Sequence, residues 1–327
     1  VIDDNQLVYS FTETSPGIYT SQVFSAQLDR SYSLQINTTD GNSYESAPQK
    51  IAGINTIKDV YAVTGTNDIN EEGVSIYVKS EGTDTNAKYY RYSYEETNKI
   101  IAPHWSPINY RIHSNTNPFS VGHYIHNEVK KICYNTTSSK EILQAETASL
   151  NKNAVEFPLR FILKDDDKIS RRYSIEVTQY VQDYEAFRYF QTLKKINSSG
   201  GVFTQNQPGF LQGNIFDTSS NNTKVVGFFE VNSVSKKRLF FNHEDVFPGH
   251  VVDFLEDCNL VAPVLMERDD RLVFSPLVEL LETNSYLLFG ENLDPNEFLP
   301  GPYLITKKEC GDCRESGSNI RPSFWID

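Results

Sequence analysis

Cys310-Gly-Asp-Cys313, near the end of a 327-residue chain, has the spacing of half a zinc site or of a dithiol redox pair. A zinc site needs two more ligands, but Cys133 and Cys258 do not form a second such pair and no histidine follows at finger spacing. A redox pair would sit beside a strand–helix–strand pattern, which is absent here. The favoured reading is disulfide bonding among Cys133, Cys258, Cys310 and Cys313, for which three fully paired connectivities exist; a metal site and free thiols are the lesser alternatives. A bridge from Cys258 to the tail would close a loop of about 50 residues and contribute about 4 kcal/mol through loop entropy. Paired cysteines in turn place the chain in an oxidising compartment.

Other constellations point to less chemistry. His123-Tyr-Ile-His126-Asn-Glu128 would converge on zinc if it were helical, but its polar surroundings favour surface residues in a loop. His243-Glu244 and His250 flank Pro248-Gly249 and read as loop positions. The carboxylates of Lys164-Asp-Asp-Asp-Lys168 are consecutive, which is not the spacing of a calcium loop, so a hairpin tip is expected there. The HExxH, GxSxG, P-loop and dinucleotide fingerprints are all absent. We therefore expect no catalytic residue, no metal and no cofactor. The candidate contacts to a ligand or partner are His104, Trp105 and Tyr110, an aromatic group beside Pro107 of the kind enriched at recognition hot spots; a structural, buried Trp105 is the competing reading.

The composition sets the frame for these residues. With 30 Lys and Arg against 43 Asp and Glu, the net charge is −13. No long basic run is present to displace counterions from a polyanion, so nucleic acid is not an expected partner. The 19 Tyr and 20 Phe, with abundant Thr and Val, suit half-buried pleated surfaces and lean the chain towards β. No window is long and apolar enough for a membrane helix. The chain opens at Val1-Ile-Asp-Asp without a signal-type segment, so a processed or incomplete product is expected, with its address written upstream.

Strand signals dominate the pass along the sequence. Leu7–Phe11 and Ile18–Thr20 flank the turn Ser15-Pro16-Gly17. Ser31–Ile36 alternates with period two into Thr39-Asp40-Gly41-Asn42, and a strand restarts at Tyr44. Residues 1–56 thus read as the C-terminal part of an N-terminal β-sandwich whose start is missing, and residues 57–327 as a larger β-rich domain. In the latter, Gly73–Val78, Ala87–Tyr94, Phe157–Leu163, Arg172–Tyr180, Val225–Val231 and Lys237–Phe241 are expected strands. Residues 98–128 are expected to form a long loop excursion. One helix is expected, at 183–196, capped by Asp183, with Tyr184, Phe187, Phe190 and Leu193 as its packing stripe and Gly200-Gly201 as its stop. The fold class is mainly β: two sandwich-like domains of immunoglobulin or transthyretin type, a long excursion, one docked helix and a cysteine-stapled C-terminal tail.

Several blocks, in order, resemble the Bacteroidota lipoprotein family known as domain of unknown function 4249. They are Gly17-Ile-Tyr19 with Tyr32-Ser-Leu and Asp40–Ser46; Tyr89–Thr97; Cys133-Tyr134; Arg172–Tyr180; Ala186–Leu193; Gly200-Gly-Val-Phe203 with Gly213-Asn-Ile215; Gly227–Val231; and Cys310–Cys313 through Phe324-Trp325, the most specific of the set. The resemblance implies an N-terminal lipid anchor and a place on the outer-membrane cell surface. It also implies a β-barrel partner of the TonB-dependent transporter type, which the chain would serve as a non-enzymatic accessory or substrate-capturing lid for a peptide or glycan. Two alternatives stand beside it: a free adhesin or glycan-binding module that stacks sugars on Trp105, and a metal-dependent hydrolase using His123, His126 and Glu128.

Overall fold

In the computed structural model, the described residues are 1–149, 154–198, 211–219, 224–252, 258–269 and 272–327. The first segment contains short strands: β1 (Ile2–Asp3), β2 (Phe11–Ser15), β3 (Ile18–Ser21), β4 (Tyr32–Ser33), β5 (Gln35–Asn37) and β6 (Ser43–Ser46). β2 and β3 pair across the expected Pro16-Gly17 turn, and β5 and β6 pair across Gly41. Gly41 sits at φ +87°, a conformation that only glycine adopts without strain.

The centre of the molecule is a pair of facing antiparallel sheets. β7 (Thr56–Thr66), β8 (Glu72–Glu81) and β14 (Ala154–Leu163) form one, in the order β14–β8–β7. β9 (Tyr89–Ile101), β12 (Ile132–Ser138), β15 (Arg172–Gln182) and β17 (Ser233–Asn242) form the other, in the order β12–β9–β15–β17, with β13 (Leu143–Glu146) also on β9. Alternation decides what lies between them, because successive side chains of a strand point to opposite faces. Val74, Ile76 and Val78 of β8 meet Tyr90, Tyr92 and Tyr94 of β9 and Ile175 and Val177 of β15 in one buried cluster. Pro158, which cannot donate to a ladder, lies on edge strand β14 where the register shifts.

Three sequence expectations change. Residues 98–128 are not an irregular excursion: β9 runs on to Ile101, and β10 (Ile108–Ser114) and β11 (Ser120–Ile125) form a hairpin. The acidic run 164–168 is not a hairpin tip, because β14 and β15 belong to different sheets. Both strands carry inward apolar residues, so they face one another across the core, and the run crosses between layers through a short 3-10 turn capped by Asp166. Residues 225–231 are not a strand. This stretch is held by side chains, with Asn214 bonding both the N–H and the C=O of Phe229 and with Glu230 pairing Arg91.

The expected helix is present as α1 (Tyr184–Ser198), with the Asp183 carboxylate accepting the Ala186 N–H at 2.7 Å. Ala186 and Phe187 are buried, whereas Tyr184 is 56% exposed, with its ring tilted at 50° to that of Tyr89. Phe190 takes the Arg91 guanidinium on its face, opposite Tyr180. Asp183→Ala is expected to cost about 1 kcal/mol, the usual worth of an N-cap; a thermal melt checks it. The Gly200-Gly201 stop and the Gly200–Phe203 block lie outside the described residues.

β16 (Ile215–Asp217) returns to pair with β6, giving the order β16–β6–β5, so one sheet joins the first 56 residues to a strand far downstream. After β17 come α2 (His243–Val246), β18 (Glu267–Asp269), β19 (Leu272–Phe274), α3 (Pro276–Glu282), β20 (Tyr286–Glu291), β21 (Tyr303–Lys307) and α4 (Lys308–Gly311). α3 starts at a Ser275 cap with Pro276 in its first turn. Its Leu277, Val278 and Leu281 pack with Val121, Leu288 and Ile305, and Tyr110 and Ile112 of β10 lie against this second core.

Candidate recognition surface

All four cysteines are paired, as Cys133–Cys313 and Cys258–Cys310. The first bridge ties the end of the chain to β12, and Trp325 then lies edge-on to both Tyr134 and Phe240. The Arg238 guanidinium stands 3.5 Å from the Phe324 ring centre, and the Asp327 carboxylate takes Lys99 at 2.9 Å. The tail therefore covers the outer face of the larger sheet, which keeps Thr97 and Ser174 buried there. Among the described residues no group of three or more His, Cys, Asp or Glu side chains is arranged to hold a metal ion.

The three contact candidates sit at the joint between the hairpin and this stapled region. The His104 N–H donates to the Cys310 carbonyl and its Nε2 lies 2.8 Å from the Cys258 carbonyl, so it spans the second disulfide. Trp105 packs on Ile100, Ala102, Cys133 and Cys313. The Tyr110 hydroxyl donates to the Leu281 carbonyl at 2.7 Å, and burial raises its pKa above that of a free phenol. The structure thus brings His104 and Trp105 together around the disulfides and sends Tyr110 into the second core. All three are half-buried.

The zinc candidates do not converge. His123 lies on strand β11 opposite Tyr110, with its ring edge-on to Tyr303 and its Nδ1 3.6 Å from Glu291. His126 lies beyond the strand end, where its Nδ1 accepts the Glu128 N–H, while Glu128 pairs with Lys130 and Arg314. An extended chain points residues three apart in opposite directions, so the helical spacing that would unite them is lost.

A pair of strongly exposed apolar residues was not singled out from the sequence. The β20–β21 connection, 292–302, is an Asn- and Pro-rich loop that bonds to itself. The Asn292 amide donates to the carbonyls of Leu299 and Gly301, both at 2.8 Å. The Asn296 side-chain oxygen accepts the N–H groups of Phe298 and Leu299. Gly301 anchors the loop through its N–H to the Ala262 carbonyl, and a Cβ there would lie 1.9 Å from the Pro263 carbonyl oxygen. Leu293 and Phe298 stand at the tip of this loop, each 89% exposed. Glu291, Asp294 and Glu297 flank them, and no Lys or Arg occurs from 272 to 306. The sequence signal was present: a turn-rich segment between the apolar runs Tyr286–Phe289 and Tyr303–Ile305, with two large apolar residues at positions that turns normally fill with polar ones.

Residues 1–238 match the family described as Domain of unknown function (DUF4249). The chain belongs to this family. The DUF4249 match covers both facing sheets up to the middle of β17 and ends before the stapled C-terminal region, so the Cys310–Trp325 block and the Leu293–Phe298 loop lie beyond it. No curated protein and no solved structure matches the chain.

Proposed function

We propose that this chain is a non-enzymatic, lipid-anchored protein of the outer-membrane surface, an accessory or substrate-capturing partner of a β-barrel of the TonB-dependent transporter type. The observation that carries the reading is the self-bonded loop 292–302 with its two exposed apolar side chains. Exposed Leu and Phe on a preorganised loop lose little conformational entropy on binding, so most of their burial appears as affinity. The three carboxylates around them favour a protein pocket rimmed by Lys and Arg over an anionic lipid surface. No described helix is long and apolar enough to cross a membrane; the proposed membrane association runs through the lipid anchor that the family resemblance implies.

The test is co-purification from detergent-solubilised membranes of the native host, with a tagged wild-type chain and a tagged Leu293→Asp/Phe298→Asp variant. We expect a barrel protein with the wild type and at least a tenfold lower yield with the variant, since central apolar anchors are worth about 2 kcal/mol or more. Recovery of the wild-type chain with no barrel protein would overturn the proposal. The glycan-binding alternative would stack a sugar on Trp105, which is half-buried beside the Cys133–Cys313 bridge; binding of the isolated chain on a glycan array, lost in Trp105→Ala, would favour it.

A further inference from the structure

α2 follows β17 directly, and its first residue, His243, is buried against the corner between β14 and β15. Its Nδ1 lies 3.1 Å from the Ile169 carbonyl oxygen, and its Nε2 lies 3.0 Å from Nδ1 of His250. The other nitrogen of His250, Nε2, lies 3.1 Å from the Asp165 carboxylate. The four groups form a row of three contacts whose two ends, a carbonyl and a carboxylate, can only accept.

Three contacts require three hydrogens. Two neutral imidazoles carry one N–H each, which supplies two. If His243 donates to Ile169, its Nε2 must accept, so His250 donates from Nδ1. His250 Nε2 is then a lone pair aimed at a carboxylate unless it too is protonated. We propose that His243 and His250 form a proton-binding pair, in which one extra proton on His250 completes the row and clamps the acidic corner 164–169 to the turn after α2.

The surroundings fit this division of labour. Burial, and then the charge of His250, lower the pKa of His243, which keeps it the neutral member. The carboxylates facing the pair are Asp165 from the corner and Glu244 from α2, and Glu72 at the start of β8 also feels His250. Opposing them, Lys164 lines the groove on one side of His250, and Lys99, Arg171 and Arg172 line the groove on the other, with Asp327 at its end. His250 is the shared wall of these two grooves, of 440 Å³ and 390 Å³. The Asp165 side chain is 78% exposed, so it is the contact that releases when the proton leaves. Proton loss therefore loosens the corner and changes the groove walls without disturbing the buried His243–Ile169 bond.

The experiment is an NMR titration of the full chain with ¹⁵N-labelled histidine between pH 5.5 and 8, with the two rings assigned from His243→Gln and His250→Gln. We expect His250 to charge first on acidification while His243 remains a neutral Nδ1–H ring. Asp165→Asn should move the His250 titration towards acid, because it removes the carboxylate 3.1 Å from Nε2. Hydrogen exchange at residues 165–169, corrected for its intrinsic pH dependence, should be slower at pH 6 than at pH 8 in the wild type and insensitive to pH in His250→Gln. The proposal is overturned if His243 charges first, if both rings stay neutral throughout, if Asp165→Asn leaves the titration in place, or if the corner's exchange does not follow pH.

Discussion

Replacing Cys133 and Cys313 together by serine is expected to destabilise the chain by about 3–5 kcal/mol, the range for a native bridge closing a long loop. The separation is 180 residues, against 52 for Cys258–Cys310, so this bridge restricts the unfolded chain more. The pocket adds to the effect, because both cysteines are fully buried beside Ile100 and Ala102 and a serine hydroxyl would find an apolar lining there. The damage should be local at first. Ser318 bridges Tyr134, and Trp325 lies between Tyr134 and Phe240, all within reach of the bridge. Urea denaturation should show a lower midpoint, and hydrogen exchange should show faster opening across 314–327 and β12. An unchanged midpoint would mean that the packing of Phe324 and Trp325 alone holds the tail.

Glu96→Gln is expected to cost about 2–4 kcal/mol at pH 7, in the manner of removing one partner from a buried charge cluster. Glu96 points into the sandwich and is 4% exposed. Its carboxylate accepts Lys168 at 2.7 Å, Tyr173 at 2.8 Å and Arg160 at 3.3 Å. Burial pushes its pKa up, but the bond from Lys168, the charge of Arg160 and the bond from Tyr173 outweigh burial and hold it below the ordinary carboxylate value. A carboxylate with a depressed folded pKa contributes stability that is complete above its unfolded value. That contribution is lost as pH falls through the folded value. Wild type should therefore lose stability below about pH 4.5, the unperturbed value, and Glu96→Gln should lose less over the same interval. Urea melts at pH 7 and across pH 3–5 decide the matter; equal stability of the two proteins at pH 7 would remove Glu96 from the energetics of the core.

Much of this fold was legible because the period-two pattern is strong where one sheet face is buried. Tyr90, Tyr92 and Tyr94 announce β9, and Asp183 with Phe187 announces α1. What the pattern cannot carry is partnership. β14 and β15 flank a short acidic run and look like hairpin arms, but that both face inward across one core is a non-local fact. Val225–Val231 has strand composition, yet it lies where side chains of Asn214, Arg91 and Gln182 take the place of a ladder. The candidate surface was less legible still. His104, Trp105 and Tyr110 stand out by residue type, and the structure places them half-buried beside the disulfides and the second core. Leu293 and Phe298 are ordinary apolar residues whose significance comes from their exposure on a loop that locks itself.

The two disulfides are nested, since residues 258 and 310 both fall within the span from 133 to 313. The chain is in this sense two concentric covalent rings. A surface protease that cuts the backbone once anywhere between 134 and 312 produces two pieces that remain one molecule. The N-terminal sheets and the Leu293–Phe298 loop would then stay on the same body after such a cut. If the loop holds a partner as proposed, a chain nicked in this way would still hold it.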